Sequence, residues 1–182
     1  AVNNDKRNSA IVQAIQKYGG KSCIAFCASV EHAHELAAML QASGIPAESV
    51  DGFIDKDIRA DRLQRFRSGE IRVLTNFGVL TEGVDVPGCD TIVMCRPTLS
   101  KALYMQMLGR GTRPTANVSA DEAETRLESI KASSKPKMTV IDIADVCARH
   151  DVVSMASVLG VSNRFEWQGM SVQSTFLRQL LH

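Results

Sequence analysis

Ser22-Cys23-Ile24-Ala25-Phe26-Cys27-Ala28-Ser29 is a short, almost wholly apolar run closing on a residue able to cap a helix, and Ala33, Leu36, Ala37 and Leu40 then follow at helical spacing. A continuous apolar run of this length, followed directly by an amphipathic helix, reads as a strand buried on both faces. Gly44-Ile45-Pro46 stops the helix, because glycine leaves the helical geometry cheaply and proline cannot continue it. The same unit repeats outward in both directions. Upstream, Ile11, Ile15 and Tyr18 mark a helix over 4–18 that ends at Gly19-Gly20. Downstream, a weak strand over 47–50 precedes a helix over 56–67 capped by Asp55; strands follow at 71–75 and 91–94, a helix at 101–108 and a strand at 138–143. Short apolar strands alternating with amphipathic helices predict an α/β fold, a mostly parallel sheet sandwiched by helices. Ligands of such sheets gather at the carboxyl ends of the strands, so Ser29, the segment 75–85 and the loop after Met94 are expected on one edge.

Composition excludes several function classes. Hydrophobic residues make up 45% of the 182 and charged residues 23%, with a formal net charge of +1. Nothing drives the whole surface toward a polyanion, so any phosphate-binding site is local. No apolar run is long enough for a transmembrane helix, which argues against a membrane partner. The five cysteines, Cys23, Cys27, Cys89, Cys95 and Cys147, form no Cys-x-x-Cys. Cys23, Cys27 and Cys95 sit in strand-like runs as small buried hydrophobes, the usage expected in a reducing, cytoplasmic compartment. His32 and His34 are two apart on a helix and face different directions, so no metal site is expected. Residues 115–137 turn polar and read as a solvated excursion, with one helical stretch around 121–130 and no assigned function. The lack of an initiator Met suggests an internal fragment of something larger.

The chemistry concentrates in Gln106-Met107-Leu108-Gly109-Arg110-Gly111-Thr112-Arg113-Pro114, where two arginines three apart stand among glycines, downstream of Thr81-Glu82-Gly83-Val84-Asp85. Guanidinium groups keep their charge at any physiological pH, and their planar fork matches phosphate oxygens. Read with Ile24-Ala25-Phe26-Cys27-Ala28-Ser29, the helix carrying Arg59, Arg62 and Phe66, and Val73-Leu74-Thr75-Asn76, these blocks fall in the order of motifs IV, IVa, V and VI. Over 21–143 the chain resembles the second RecA-like domain of superfamily 2 helicases of the DEAD/DEAH type. It looks most like bacterial DNA helicases and translocases related to repair and restriction motors.

That resemblance implies a RecA-like P-loop NTPase fold, ATP and Mg2+ as cofactors, and nucleic acid, DNA rather than RNA, as partner. It implies Arg113 as the arginine finger and Arg110 as a second γ-phosphate ligand or closure sensor, with surface ion pairing as the plain alternative for both. Asp85, after Gly83, matches the acid that bonds the nucleotide ribose; capping of a loop is its alternative. Glu82 either orients loops or pairs with one of the two arginines. Gln106 contacts nucleotide, ties motif VI to motif V, or is an ordinary helix residue. Ser29, Thr75 and Asn76 place short polar groups at strand ends, where they suit phosphate oxygens without reading bases. Ser29 is equally an N-cap, and Arg59 and Arg62 add phosphate contacts or line an exposed helix face.

The sequence holds no Gly-x4-Gly-Lys-Ser/Thr loop to cradle phosphates; in the family that loop belongs to the first RecA-like domain. The expectation is therefore a helicase C-terminal domain over 1–160 with an extension or linker at 161–182, inactive alone and completed by a first domain that holds most of the ATP and Mg2+. Two rivals share the pattern: a non-catalytic adaptor that binds nucleic acid or protein, and an unrelated doubly wound enzyme, which lacks here its Gly-rich turn after the first strand.

Overall fold

Successive residues of strand β1 (Cys23–Phe26) point into opposite layers: Cys23 and Ala25 join one apolar cluster, Ile24 and Phe26 the other. This alternation, in a strand with no exposed residue, is what a sheet covered on both faces requires. The computed structural model describes residues 3–79, 86–115, 123–143 and 153–160. β1 pairs in parallel with β3 (Val73–Asn76) and β4 (Thr91–Met94), β3 with β2 (Ala47–Val50), and β4 with β5 (Thr139–Asp142), giving the order β2-β3-β1-β4-β5. Helices α1 (Asp5–Tyr18) and α2 (Val30–Ala42) cover one face through Ile11, Ile15, Leu36 and Leu40. Helices α3 (Lys56–Ser68) and α4 (Lys101–Thr112) cover the other through Phe66, Tyr104, Met107 and Leu108.

The helix starts follow the caps. Ser29 accepts from the His32 N–H at 3.1 Å, Asp55 from Asp57 at 2.7 Å and Ser100 from Leu103 at 3.2 Å, each satisfying a donor that the first turn leaves open. α3 ends at Gly69, whose φ of +83° is the left-handed conformation that favours glycine. The polar excursion does contain a helix, α5 (Ala123–Ala132), and it buries no residue. A short α6 (Met155–Val158), which periodicity does not reveal, follows β5.

α4 departs from the sequence expectation, and the departure places the site. It runs through Gly109-Arg110-Gly111-Thr112 instead of stopping at Leu108. The lack of a Cβ at Gly111 lets this last turn lie against the sheet, where an added Cβ would stand 2.8 Å from Ile92 Cγ1 and 2.3 Å from Met138 Sδ. The other end of α4 sits at the carboxyl ends of the strands, where the Tyr104 hydroxyl donates to Asp142 Oδ2 at 2.8 Å. α4 therefore crosses the whole sheet, from its carboxyl rim to its amino rim. Its 12 residues span about 18 Å at 1.5 Å per residue.

Candidate nucleotide and nucleic-acid site

At the amino rim α4 ends on its arginines. Arg110 is half-buried in the last turn, Arg113 is exposed at the C-cap, and Gln106 is half-buried one turn before Arg110. Lys135 reaches in from the segment before β5, and its Nζ donates to the carbonyls of Arg113 at 2.7 Å and Pro87 at 2.9 Å. Pro87 lies two residues beyond Asp85, so the exit of motif V and the end of motif VI are one amine apart. Glu82, Gly83 and Asp85 themselves lie outside the described residues.

The described members of the expected ligand edge lie together. Ser29, Asn76 and the loop after Met94 do share the carboxyl rim, as the register of β1, β3 and β4 requires. Thr75 and Asn76 end β3 at that same rim, residues 80–85 lie outside the described residues, and residues 86–90 lead into the amino end of β4. The arginines of α4 and the ends of β1 and β3 thus lie at different rims. The two glycines of motif VI differ as well. Gly111 is required by packing against β4, whereas a Cβ on Gly109 would meet nothing within 4 Å, which leaves room for a group approaching from outside.

The carboxyl rim holds the other candidates, and their roles separate. Ser29 caps α2 and stays half-exposed at the end of β1, so its cap role is established and its backbone lies at the rim. Thr75 and Asn76 are fully buried. The Thr75 hydroxyl donates to Ala33 O at 2.7 Å and Asn76 Nδ2 to Ala25 O at 3.1 Å. Their side chains tie β3 to α2 and β1 and are not offered at the rim; the strand places them one layer too deep. Arg62 is likewise engaged inside the domain, donating to Ser49 O and lying 3.4 Å from a Glu48 carboxylate oxygen. Arg59, on the same helix, is half-exposed, and its side chain makes no hydrogen bond or ion pair among the described residues.

Two polar arrangements at this rim escape sequence reading. Asp51, just past β2 and 1% exposed, takes the His34 ring at 2.9 Å on one oxygen and the N–H groups of Phe53 and Ile54, at 2.7 and 3.2 Å, on the other. Burial alone raises its pKa, but the His34 ring and these two N–H donors outweigh it and hold the carboxyl below its usual range. Asp142 behaves oppositely, its pKa raised by burial despite bonds from Met155 N at 2.9 Å and the Tyr104 hydroxyl. The strand thiols conform to expectation, Cys23, Cys27 and Cys95 being buried; Cys89 is buried as well, and burial pushes Cys23 up to about 11 and Cys89 up to about 12.

A parallel RecA-like sheet whose motif V and motif VI ends meet at one rim defines a class, the C-terminal half of a helicase motor. The profile described as "Helicase conserved C-terminal domain" matches residues 6–115, and the chain belongs to that family, within the superfamily 2 helicases. It is 39% identical over 93 residues to the candidate ATP-dependent helicase IRC3 of Saccharomyces cerevisiae, covering 51% of this chain and 14% of that protein. It is 30% identical over 113 residues to the ATP-dependent rRNA helicase RRP3 of Candida albicans, covering 62% of this chain and 21% of that protein. Among solved structures, the E. coli DEAD-box protein SrmB superposes with a TM-score of 0.59 at 19% identity, over 80% of this chain and 75% of that one. The chain spans less than a quarter of the length of these curated relatives.

Proposed function

We propose that the whole protein is an ATP-dependent superfamily 2 helicase or translocase acting on DNA, in the manner of bacterial repair and restriction motors. This domain then supplies the arginine finger Arg113, with Arg110 as a second γ-phosphate ligand. Asp85 and Gly83 meet the ribose, and Glu82 and Gln106 hold the loops of the nucleotide site. The observation that carries the reading is the bridge from Lys135 to the carbonyls of Arg113 and Pro87, which brings the ends of motifs V and VI to one rim.

The residues at that rim suit a triphosphate. Arg113 is exposed, and one turn back Gly109 leaves open space. No phosphate-cradling loop occurs in the sequence, so a first RecA-like domain would hold most of the ATP and Mg2+, and this chain alone would not hydrolyse ATP. ATP hydrolysis supplies the free energy for movement along the strand. Arg113 and Arg110 neutralise charge that spreads over the γ-phosphoryl oxygens in the transition state, and a finger of this kind is worth on the order of 10³–10⁵ in rate. At the other rim, Ser29 with the first turn of α2, and Arg59, grip the phosphate backbone without selecting bases.

The deciding experiment is Arg113→Ala in the whole protein. DNA-stimulated hydrolysis should fall by about 10³-fold while ATP affinity changes by less than about tenfold; undiminished turnover removes Arg113 from the role. DNA is implied by the motif resemblance, whereas relatives such as RRP3 are named as rRNA helicases. Running the assay with single-stranded DNA, duplex DNA and RNA tests the substrate, and stimulation by RNA alone overturns the DNA reading.

A further inference from the structure

The segment between Arg113 and β5 carries no motif, yet it delivers a deeply buried charge. Lys135 is 6% exposed, and its ammonium donates to two main-chain carbonyls: Arg113 O, 22 positions away in the chain, and Pro87 O, 48 positions away. No described carboxylate lies within ion-pair distance of it, and burial lowers its pKa from the ordinary lysine value. An ammonium removed from water whose hydrogen bonds among the described residues go to two carbonyls, with Asp90 acting on it only beyond ion-pair distance, depends on both of them, since losing either leaves a buried charge poorly solvated. The two carbonyls are therefore held where the amine needs them.

We propose that Lys135 is a positioning residue for Arg113: it fixes the backbone at the end of α4 against Pro87 at the exit of motif V, so that the finger is held in one place relative to that segment. The inference rests on the reading of Arg113 as the finger. Arg113 sits past the last helical residue in an extended conformation, φ −66° and ψ 124°. The polar excursion follows it closely. The clamp acts on its own carbonyl. Beside the clamp lies a cavity of about 250 Å³, bounded by residues 111–114 on one side and 135–138 on the other. The chain end has space to shift into once the amine is gone. A compact ammonium with three rotatable donors suits two carbonyls arriving from unrelated segments; the fixed fork of an arginine does not.

The test has two arms. In the 182-residue chain, Lys135→Met should raise amide hydrogen exchange in the peptide spanning 109–116 while β1, β3 and β4 keep their protection. In the whole protein, the same substitution should lower kcat for DNA-stimulated ATP hydrolysis about 10- to 100-fold, the usual cost of a displaced catalytic group, with KM for ATP within about twofold. Combined with Arg113→Ala it should add nothing, because both remove the same contribution. Unchanged exchange at 109–116, unchanged kcat, or a further multiplicative loss in the double variant each overturns the clamp. If Arg113→Ala alone leaves turnover intact, the finger reading fails, and the exchange arm still decides whether Lys135 holds this chain end. Should Lys135→Met not fold, Lys135→Gln, which keeps one donor arm, is read by the same measurements.

Discussion

Gly111 of α4 and Met138, just ahead of β5, approach so closely that a methyl group on Gly111 would overlap the thioether, at 2.3 Å from its sulfur. Met138 can move, but Ile92, fully buried and 2.8 Å from the same point, cannot yield freely. Gly111→Ala is expected to lower unfolding free energy by about 1–3 kcal/mol, as overpacking does. Gly109→Ala meets nothing within 4 Å, so it should leave stability unchanged or raise it by up to about 1 kcal/mol through helix propensity. Urea denaturation of the two variants checks the contrast, and equal destabilisation contradicts it.

Arg59 and Arg62 lie one turn apart on α3 and should give opposite phenotypes. Arg62 is bonded to Ser49 O and paired with Glu48, so Arg62→Ala should cost about 1 kcal/mol of stability with little change in nucleic-acid affinity. Arg59→Ala should leave the melting temperature alone and reduce the slope of log K against log salt for single-stranded DNA by about one phosphate contact. A stability loss from Arg59→Ala with no change in salt slope would reverse the assignment.

Asp51 ties the loop after β2 to α2, and its bonds favour the ionised form. Because the folded carboxyl holds its proton less tightly than the unfolded one, its contribution is complete above the unfolded value near 3.8 and fades as pH falls through the lower, folded value. Asp51→Ala should cost about 2 kcal/mol at pH 7. Chemical denaturation across pH 7 to 3 should show wild type and variant converging at the acid end, and a constant gap would show that charge is not involved.

Asp142 carries the reverse sign. Burial makes the folded carboxyl retain its proton above the usual 3.8, so ionisation at higher pH removes stability as pH rises from the unfolded value through the folded one. Asp142→Asn, able to accept the same Tyr104 and Met155 donors, should match or exceed wild-type stability at pH 7 and lose that advantage near pH 4. Tyr104→Phe, which deletes a bond to a half-buried carboxylate, should instead cost about 1.5–3 kcal/mol at pH 7.

The α/β pattern was legible because it rests on one-dimensional signals. Short strand-like runs rich in apolar residues became β1, β3 and β4, and Ser29, Asp55 and Ser100 start helices where their side chains can accept N–H donors. The helical course of Gly109-Arg110-Gly111 was not legible, since two glycines in a row of four argue locally for a turn, and only contact with Ile92 and Met138 favours the helix. The burial of Thr75 and Asn76 depends on how far β3 extends before the chain leaves the sheet. Lys135 gave no signal at all: in Ser-Ser-Lys-Pro-Lys it is one lysine among polar residues, and its partners are main-chain atoms far away in sequence.

The course of α4 from one rim to the other has a mechanical corollary. A straight helix resists compression along its axis, so a push on its Ser100 end arrives at its Arg113 end as a displacement rather than being absorbed en route. Tension on a polynucleotide held near the loop after β4 would then be felt, through a single stiff strut, by the residue that we propose as the finger.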